Sequence, residues 1–149
     1  MQCSAPTATQ TLAVELERRL ARVWALVLRG SYRELSRTAT SVLALLRDTG
    51  PSRVTDLAAA EAVTQPSMTT LVGRLERQGL VTRGPDPSDA RAVLVALTDD
   101  GREALRRLGS RRAAILAERL AALDDADRAA LRAALPALDH LADTAEERR

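Results

Sequence analysis

The chain has one cysteine, one histidine, no lysine, no phenylalanine and only two aromatic side chains, Trp24 and Tyr32, among its 149 residues. A single thiol, Cys3, excludes a disulfide within one chain and a zinc site built on cysteines. It sits in a polar tail with no neighbouring His or Lys to favour the thiolate, and so reads as an incidental cysteine rather than a redox sensor. His140 has no second His or Cys at ligand spacing, so no metal is expected. There is no Gly-rich phosphate loop, no paired-carboxylate constellation and no Ser/His/Asp grouping; neither an enzyme nor a cofactor is expected. No apolar run approaches the ~18 residues of a membrane-spanning helix. Gln2 to Gln10 lacks the basic start and apolar block of a signal peptide, so a cytoplasmic protein with no membrane partner is expected.

With 46% apolar residues but almost no aromatics, the core must be Leu, Val and Ala, which suits helix-on-helix packing. The length suits one domain, or one protomer of an oligomer. All 22 basic residues are arginine, and the net charge is only +2. Residues 1–53 hold eight Arg against four acids (+4), residues 54–97 four against five (−1), and residues 98–149 ten against eleven (−1). If the middle of this chain binds nucleic acid, the placement of single arginines must matter more than bulk charge.

The informative stretch runs from Thr55 to Thr98. Arg53-Val54 reads as a minimal strand, and Thr55 as the cap of a short helix, Asp56 to Ala60. Glu61-Ala62-Val63 makes a turn into a second helix, Gln65 to Gln78. Thr64 is its N-cap, Pro66 lies in the first turn where a missing N–H is harmless, and Gly79 stops it. Met68, Leu71, Val72 and Leu75 form one buried stripe. The opposite face carries Gln65, Ser67, Thr69, Thr70, Gly73 and Arg74, small, hydrogen-bonding or basic groups that can approach base edges and phosphates. Helix, short turn, helix is the helix-turn-helix arrangement, with this second helix as the recognition element. Alone, such a face is more often merely solvated; its neighbours decide. Leu80 to Arg83 reads as a strand and Ala92 to Leu97 as its return, with Gly84 to Arg91 projecting between them as a loop too long for a two-residue hairpin. Arg83 is a candidate for a phosphate contact or for a pair with Asp86.

Around this stretch lie amphipathic helices. The first, over residues 11–30, carries Leu12, Leu16, Leu20, Val23, Trp24 and Val27 on one side and ends at Gly30. The next runs from Ser36 to Asp48, burying Ala39, Val42, Leu43 and Leu46, and breaks at Gly50-Pro51. Thr98 caps a long helix whose first turn holds Asp99 and Asp100. Its arginines, Arg102, Arg106, Arg107, Arg111 and Arg112, read as paired with acids across helices or solvated rather than bound to phosphate. Asp124 or Asp125 caps a last helix, in which Pro136 predicts a kink or break. The apolar surface of residues 12–28 and 102–141 exceeds what one small protomer covers, which points to a partner helix.

The run from Thr55 to Gly101 resembles the MarR (multiple antibiotic resistance regulator) family of winged helix-turn-helix transcription factors. The resemblance is carried by DLA at 56–58, PSMTTLVGRLERQGLVTR at 66–83, DAR at 89–91 and VALTDDG at 95–101. It implies a mainly α fold with a small β-hairpin wing. Residues 36–98 would form the DNA-binding lobe, and 11–30 and 99–145 would be long N- and C-terminal dimerisation helices. It further implies a homodimer that reads a palindromic operator in double-stranded DNA, commonly as a repressor responsive to a ligand or to oxidation, and a small apolar or aromatic effector is the expected ligand. By position, Arg91 looks like the wing arginine that enters the minor groove, with Asp89 beside it as an orienting carboxylate. The DNA-contacting set is then Thr64, Gln65, Ser67, Thr69, Thr70, Arg74, Arg83, Asp89 and Arg91. Trp24 and Tyr32 are candidates to line an effector pocket, set against ordinary core packing. Ala90 departs from the family, which often has a second basic residue there, and Pro136 is a second departure. The alternative from another class is a winged-helix protein-interaction module without sequence-specific DNA binding.

Overall fold

The computed structural model describes residues 7–31, 35–86 and 89–146, without the side chains of 29–31, 89–91 and 144–146. In chain order the elements are α1 (Ala8–Ser31), α2 (Arg37–Thr49), β1 (Ser52–Arg53), α3 (Val54–Ala60), α4 (Gln65–Arg77), β2 (Val81–Asp86), β3 (Asp89–Leu97), α5 (Asp99–Ala121) and α6 (Asp125–Glu146). The fold is mostly helical with one small antiparallel sheet, in the strand order β1-β3-β2. The chain divides into two compact units, Met1–Arg112 and Ala113–Arg149, with the boundary inside α5.

In the first unit the core is aliphatic, as the shortage of aromatics requires. Ala39, Val42, Leu43 and Leu46 of α2 pack with Leu57 and Ala58 of α3, Met68, Val72 and Leu75 of α4, Val81 of β2, and Val95 and Leu97 of β3. α2 begins where Ser36 accepts the Ala39 N–H at 3.2 Å and ends at Gly50, whose φ of 81° only glycine adopts freely. Thr98 fixes the sheet to α5. Its hydroxyl donates to the Gly79 carbonyl at 2.6 Å while accepting the Gly101 N–H at 3.1 Å. Gly101 is there for lack of space: a Cβ would overlap the Leu80 carbonyl oxygen and lie 2.6 Å from Leu97 Cδ1. α1 is different. Val27 is buried, but Leu12, Val14, Leu20, Val23, Trp24 and Leu26 are exposed.

Several expectations need correction. α1 runs past Gly30 to Ser31. The minimal strand is Ser52–Arg53, not Arg53-Val54, because the chain turns into α3 at Val54; Thr55 lies inside that helix and Arg53 takes the cap position. Both wing strands are longer than the expected Leu80 to Arg83 and Ala92 to Leu97: pairing continues to Asp86 on β2 and begins at Asp89 on β3. β2 lies at the sheet edge, where Pro85 removes no ladder hydrogen bond from a central strand, and a register shift between Pro85 and Asp86 absorbs the irregularity.

In the second unit, Asp124 is the residue that caps α6, accepting the Asp127 N–H at 2.7 Å. Arg128 reaches back to the Leu120 and Leu123 carbonyls, satisfying the end of α5, and pairs with Asp125. Pro136 does not break α6, which continues to Glu146. Proline removes one hydrogen bond to the Arg132 carbonyl, and that position is exposed, so water can replace it. Leu131, Leu135, Leu138 and Leu141 are all exposed.

Candidate nucleic-acid interface

α4 is seated by Met68, Val72 and Leu75, all fully buried, with Leu71 half-buried. The opposite side therefore faces solvent, and Gln65, Ser67, Thr69, Thr70 and Arg74 are all exposed on it. Thr64 stands at the N-cap, but its side chain caps no backbone amide; its hydroxyl lies 2.9 Å from that of Ser67. Thr69 and Thr70 donate their hydroxyl protons to the carbonyls of Gln65 and Pro66, at 2.9 and 3.0 Å. Each then offers an acceptor oxygen and a methyl group rather than a free O–H. Those are groups suited to the amino donors of adenine or cytosine and to the methyl of thymine.

The two flanks of α4 differ. Toward the wing, Arg83 stands 3.4 Å from Glu76, and at Gly73 a Cβ would meet Arg83 Nη2 at 3.7 Å and Arg77 Nη1 at 3.9 Å, so the two guanidinium groups border the same position. The alternative pairing of Arg83 with Asp86 is not the one formed. On the other flank a groove of about 370 Å³ opens between the start of α2 and the length of α4. Ser36 and Thr38 line it from α2, and Ser67, Thr70, Arg74 and Arg77 from α4, over a floor of Val63, Met68 and Leu71. The face read from sequence as Gln65 to Arg74 omits Arg77, though the i, i+3 spacing from Arg74 would have included it.

Asp86 pairs instead with Arg53, which reaches across β3 to place Nε 3.0 Å and Nη2 2.7 Å from Asp86 Oδ2. The carboxylate is only 8% exposed, and an acid that deep requires a partner. This cross-sheet pair ties β1 to the outer end of β2 and was not foreseen, because Arg53 and Asp86 lie 33 positions apart in sequence. Beyond it the backbone of β3 starts at Asp89, which pairs in register with Asp86. The side chains of Asp89 and Arg91 lie outside the described residues.

The remaining candidates are scattered. Trp24 is 46% exposed on α1, with the Arg112 guanidinium 5.1 Å from its ring centroid, a cation–π distance. Tyr32 and Cys3 lie outside the described residues. Arg102, Arg106 and Arg107 of α5 pair within their own helix rather than across helices. Arg102 lies 3.9 Å from Asp99, Arg106 bonds Glu103, and Arg107 stands 3.8 Å from Glu103. The hydrogen bond from Arg106 holds the Glu103 carboxyl below the usual carboxylate range. His140 is exposed. Among the described residues no cluster of His, Cys, Asp or Glu could hold a metal ion. No helix among them is long and apolar enough to cross a membrane.

Comparison with known proteins bears directly on this geometry. The model of the MarR family matches residues 35–93, from the approach to α2 into β3. The HTH-type transcriptional regulator Mb0904 of Mycobacterium bovis is 38% identical over 100 residues, 67% of this chain and 70% of that protein. The HTH-type transcriptional repressor NicR of Pseudomonas putida is 46% identical over 59 residues, 40% of this chain and 37% of that one. Among solved structures, the transcriptional regulator Tm0710 of Thermotoga maritima superposes with a TM-score of 0.77 at 24% identity, covering 91% of this chain and 99% of that one. A putative transcriptional regulator of Pseudomonas aeruginosa PA01 gives 0.74 at 30% identity, with 92% and 98% covered. BpsR of Bordetella bronchiseptica, whose DNA binding is regulated by 6-hydroxynicotinic acid, gives 0.55 at 26% identity, with 91% and 98% covered.

Proposed function

Since the chain belongs to the MarR family of DNA-binding transcriptional regulators, we propose that it acts as a homodimeric repressor, reading a palindromic operator and releasing it when a small effector binds. The observation that carries this reading is the exposed face of α4, where Gln65, Ser67, Thr69, Thr70 and Arg74 form a polar surface beside the wing strands and the nearby acid, Glu76, is engaged by Arg83. Gln65, Ser67 and Thr70 read base edges in the major groove, with Thr64 and Thr69 beside them. Arg74 and Arg83 lie toward the backbone. Arg91, oriented by Asp89, enters the minor groove, where a long cation meets concentrated negative potential.

Residues 36–98 act as the DNA-binding lobe, and 11–30 and 99–145 as dimerisation helices. What supports the dimer is apolar surface that the protomer leaves uncovered, Leu12 at 65% and Leu135 at 56% exposure among it. Two recognition helices related by a twofold would meet half-sites about 34–36 Å apart. The effector is a small apolar or aromatic molecule near Trp24, a reading supported by the likeness to BpsR. It acts by favouring a spacing of the two lobes that DNA cannot accept, and only as far as its affinities for the two states differ.

Retardation of a labelled fragment carrying the region upstream of the chain's own coding sequence tests the proposal. Retardation that survives excess competitor DNA and is lost in Arg91→Ala is expected. Retardation that competitor abolishes completely would leave only electrostatic binding and overturn operator recognition.

A further inference from the structure

We propose that the groove between α2 and α4 is a phosphate seat, holding one backbone phosphodiester of the DNA strand beside the recognition helix, with Arg77 as its principal cation. The seat shares Ser67, Thr70 and Arg74 with the base-reading face and adds Ser36, Thr38 and Arg77 beyond it. A helix lying in a major groove is walled on each side by a sugar–phosphate strand, so each flank must meet negative charge or avoid it. On the wing flank the cation is already engaged, with Arg83 3.4 Å from Glu76. On the α2 flank, among the described residues, no acidic side chain lines the groove and neither Arg74 nor Arg77 is ion-paired.

Ser36 and Thr38 of α2 line the same groove as the two arginines, together with Ser67 and Thr70 of α4. The Thr70 hydroxyl proton is committed to the Pro66 carbonyl, so the donors for a phosphate oxygen are the two guanidinium groups and the hydroxyls of Ser36 and Thr38, residue types that hold DNA backbone. The floor of Val63, Met68 and Leu71 is apolar and packed, and it accommodates deoxyribose carbons rather than water-bound ions. Arg77 lies three residues beyond Arg74, just under one turn, so the pair spans about 4.5 Å along the helix axis. That extends the contact past the last residue of the base-reading face.

The proposal rests on α4 entering the major groove, and the test separates the two ideas. The full chain, Arg77→Gln and Thr38→Val are titrated against a DNA site selected from a random pool and against scrambled DNA, over a series of salt concentrations. Arg77→Gln should lower the slope of log affinity against log salt by about one per half-site and weaken both DNAs by the same factor. Thr38→Val should give a smaller loss with the slope unchanged, since a hydroxyl releases no counterion. Methylphosphonate replacement should find one phosphate per half-site whose neutralisation weakens the parent but not Arg77→Gln. An unchanged slope, or the same methylphosphonate pattern in both proteins, overturns the phosphate seat. If the parent binds selected and scrambled DNA equally, the sequence-specific reading fails, while the slopes on scrambled DNA still decide the seat. Arg77 is exposed at the surface of α4, so its replacement leaves the fold in place.

Discussion

The winged lobe and the terminal helices are built from the same kind of amphipathic pattern and end in opposite conditions. In the lobe, the apolar stripe of α4 meets α2, α3 and the sheet, so Leu43, Leu57, Met68, Val72 and Leu75 have no exposed surface. In α1 and α6, stripes of equal strength leave Leu12, Val14, Leu131, Leu135 and Leu141 exposed. Periodicity therefore reports that a face wants covering, not what covers it. For α4 the cover lies in the same chain; for the terminal helices, on the dimer reading, it lies in a second copy.

The largest test of that contrast is a pair of truncations. Leu75→Ala removes a fully buried side chain, and should destabilise the lobe by about 2–5 kcal/mol whatever the protein concentration. Leu135→Ala, on an exposed position, should leave the lobe's local stability untouched and weaken assembly instead, so that its effect grows on dilution. Denaturation followed at two protein concentrations, with sedimentation alongside, reads both. A monomeric parent that stays folded at micromolar concentration would break the comparison, because the exposed stripes would then need no cover.

Gly101 sharpens the same point within the lobe. A methyl group there meets the Leu80 carbonyl, a backbone atom that cannot rotate aside, so Gly101→Ala should cost about 1–3 kcal/mol. Gly109 of the same helix has open space around it, and its alanine variant should be neutral or slightly stabilising. Equal midpoints in denaturant for the two variants would show that the contact of α5 with Leu80 and Leu97 is looser than this.

Much of the lobe was legible in the sequence because its signals are local. The buried set of α2, the stripe of α4, the Gly79 stop and the Thr98 cap are each written within one or two turns of chain. What was not legible depends on residues far apart. The Arg53–Asp86 pair, the groove joining Ser36 and Thr38 to Arg77, and the extension of pairing through Pro85 all require the sheet and helices to be in place first. The wing loop was expected to be longer because Gly, Pro and Asp look like loop residues; at a sheet edge they can still pair.

The cross-sheet pair gives the next test. Arg53→Met leaves Asp86 nearly buried without this cation, but Arg53 is itself 41% exposed, so solvent screening lowers the expected cost to about 1–2 kcal/mol. The loss should be confined to the wing, seen as faster amide exchange in β2 and the outer half of β3 with α4 unchanged. DNA affinity should fall, and combination with Arg91→Ala should add little, since both act on the same contact. Full additivity would show that Arg53 acts elsewhere.

The smallest effect comes from two helix ends with the same hydrogen-bond pattern and different residues. After α4, the amides of Gly79 and Leu80 donate to the carbonyls of Glu76 and Leu75, at 2.9 and 3.0 Å, with Gly79 at a φ of 72°. After α3, the amides of Ala62 and Val63 donate to those of Ala59 and Ala58, at 3.2 and 3.0 Å, with Ala62 at a φ of 51°. Both are the closure in which a left-handed residue turns the chain away from a helix. Glycine fits that conformation, whereas alanine pays about 1–2 kcal/mol for its Cβ. Ala62→Gly relieves that strain but loosens the unfolded chain by about 0.5–1 kcal/mol, so a net gain of about 0.5–1 kcal/mol is expected. Gly79→Ala should lose a similar amount, because a Cβ there has room, its nearest neighbour being Asp100 Oδ2 at 3.9 Å, and only the backbone angle resists it. Denaturant midpoints of the two variants should therefore move in opposite directions with unchanged slopes. A loss of stability in Ala62→Gly would mean that the turn between α3 and α4 is not held in this conformation, and the recognition helix would then be seated by its buried stripe alone.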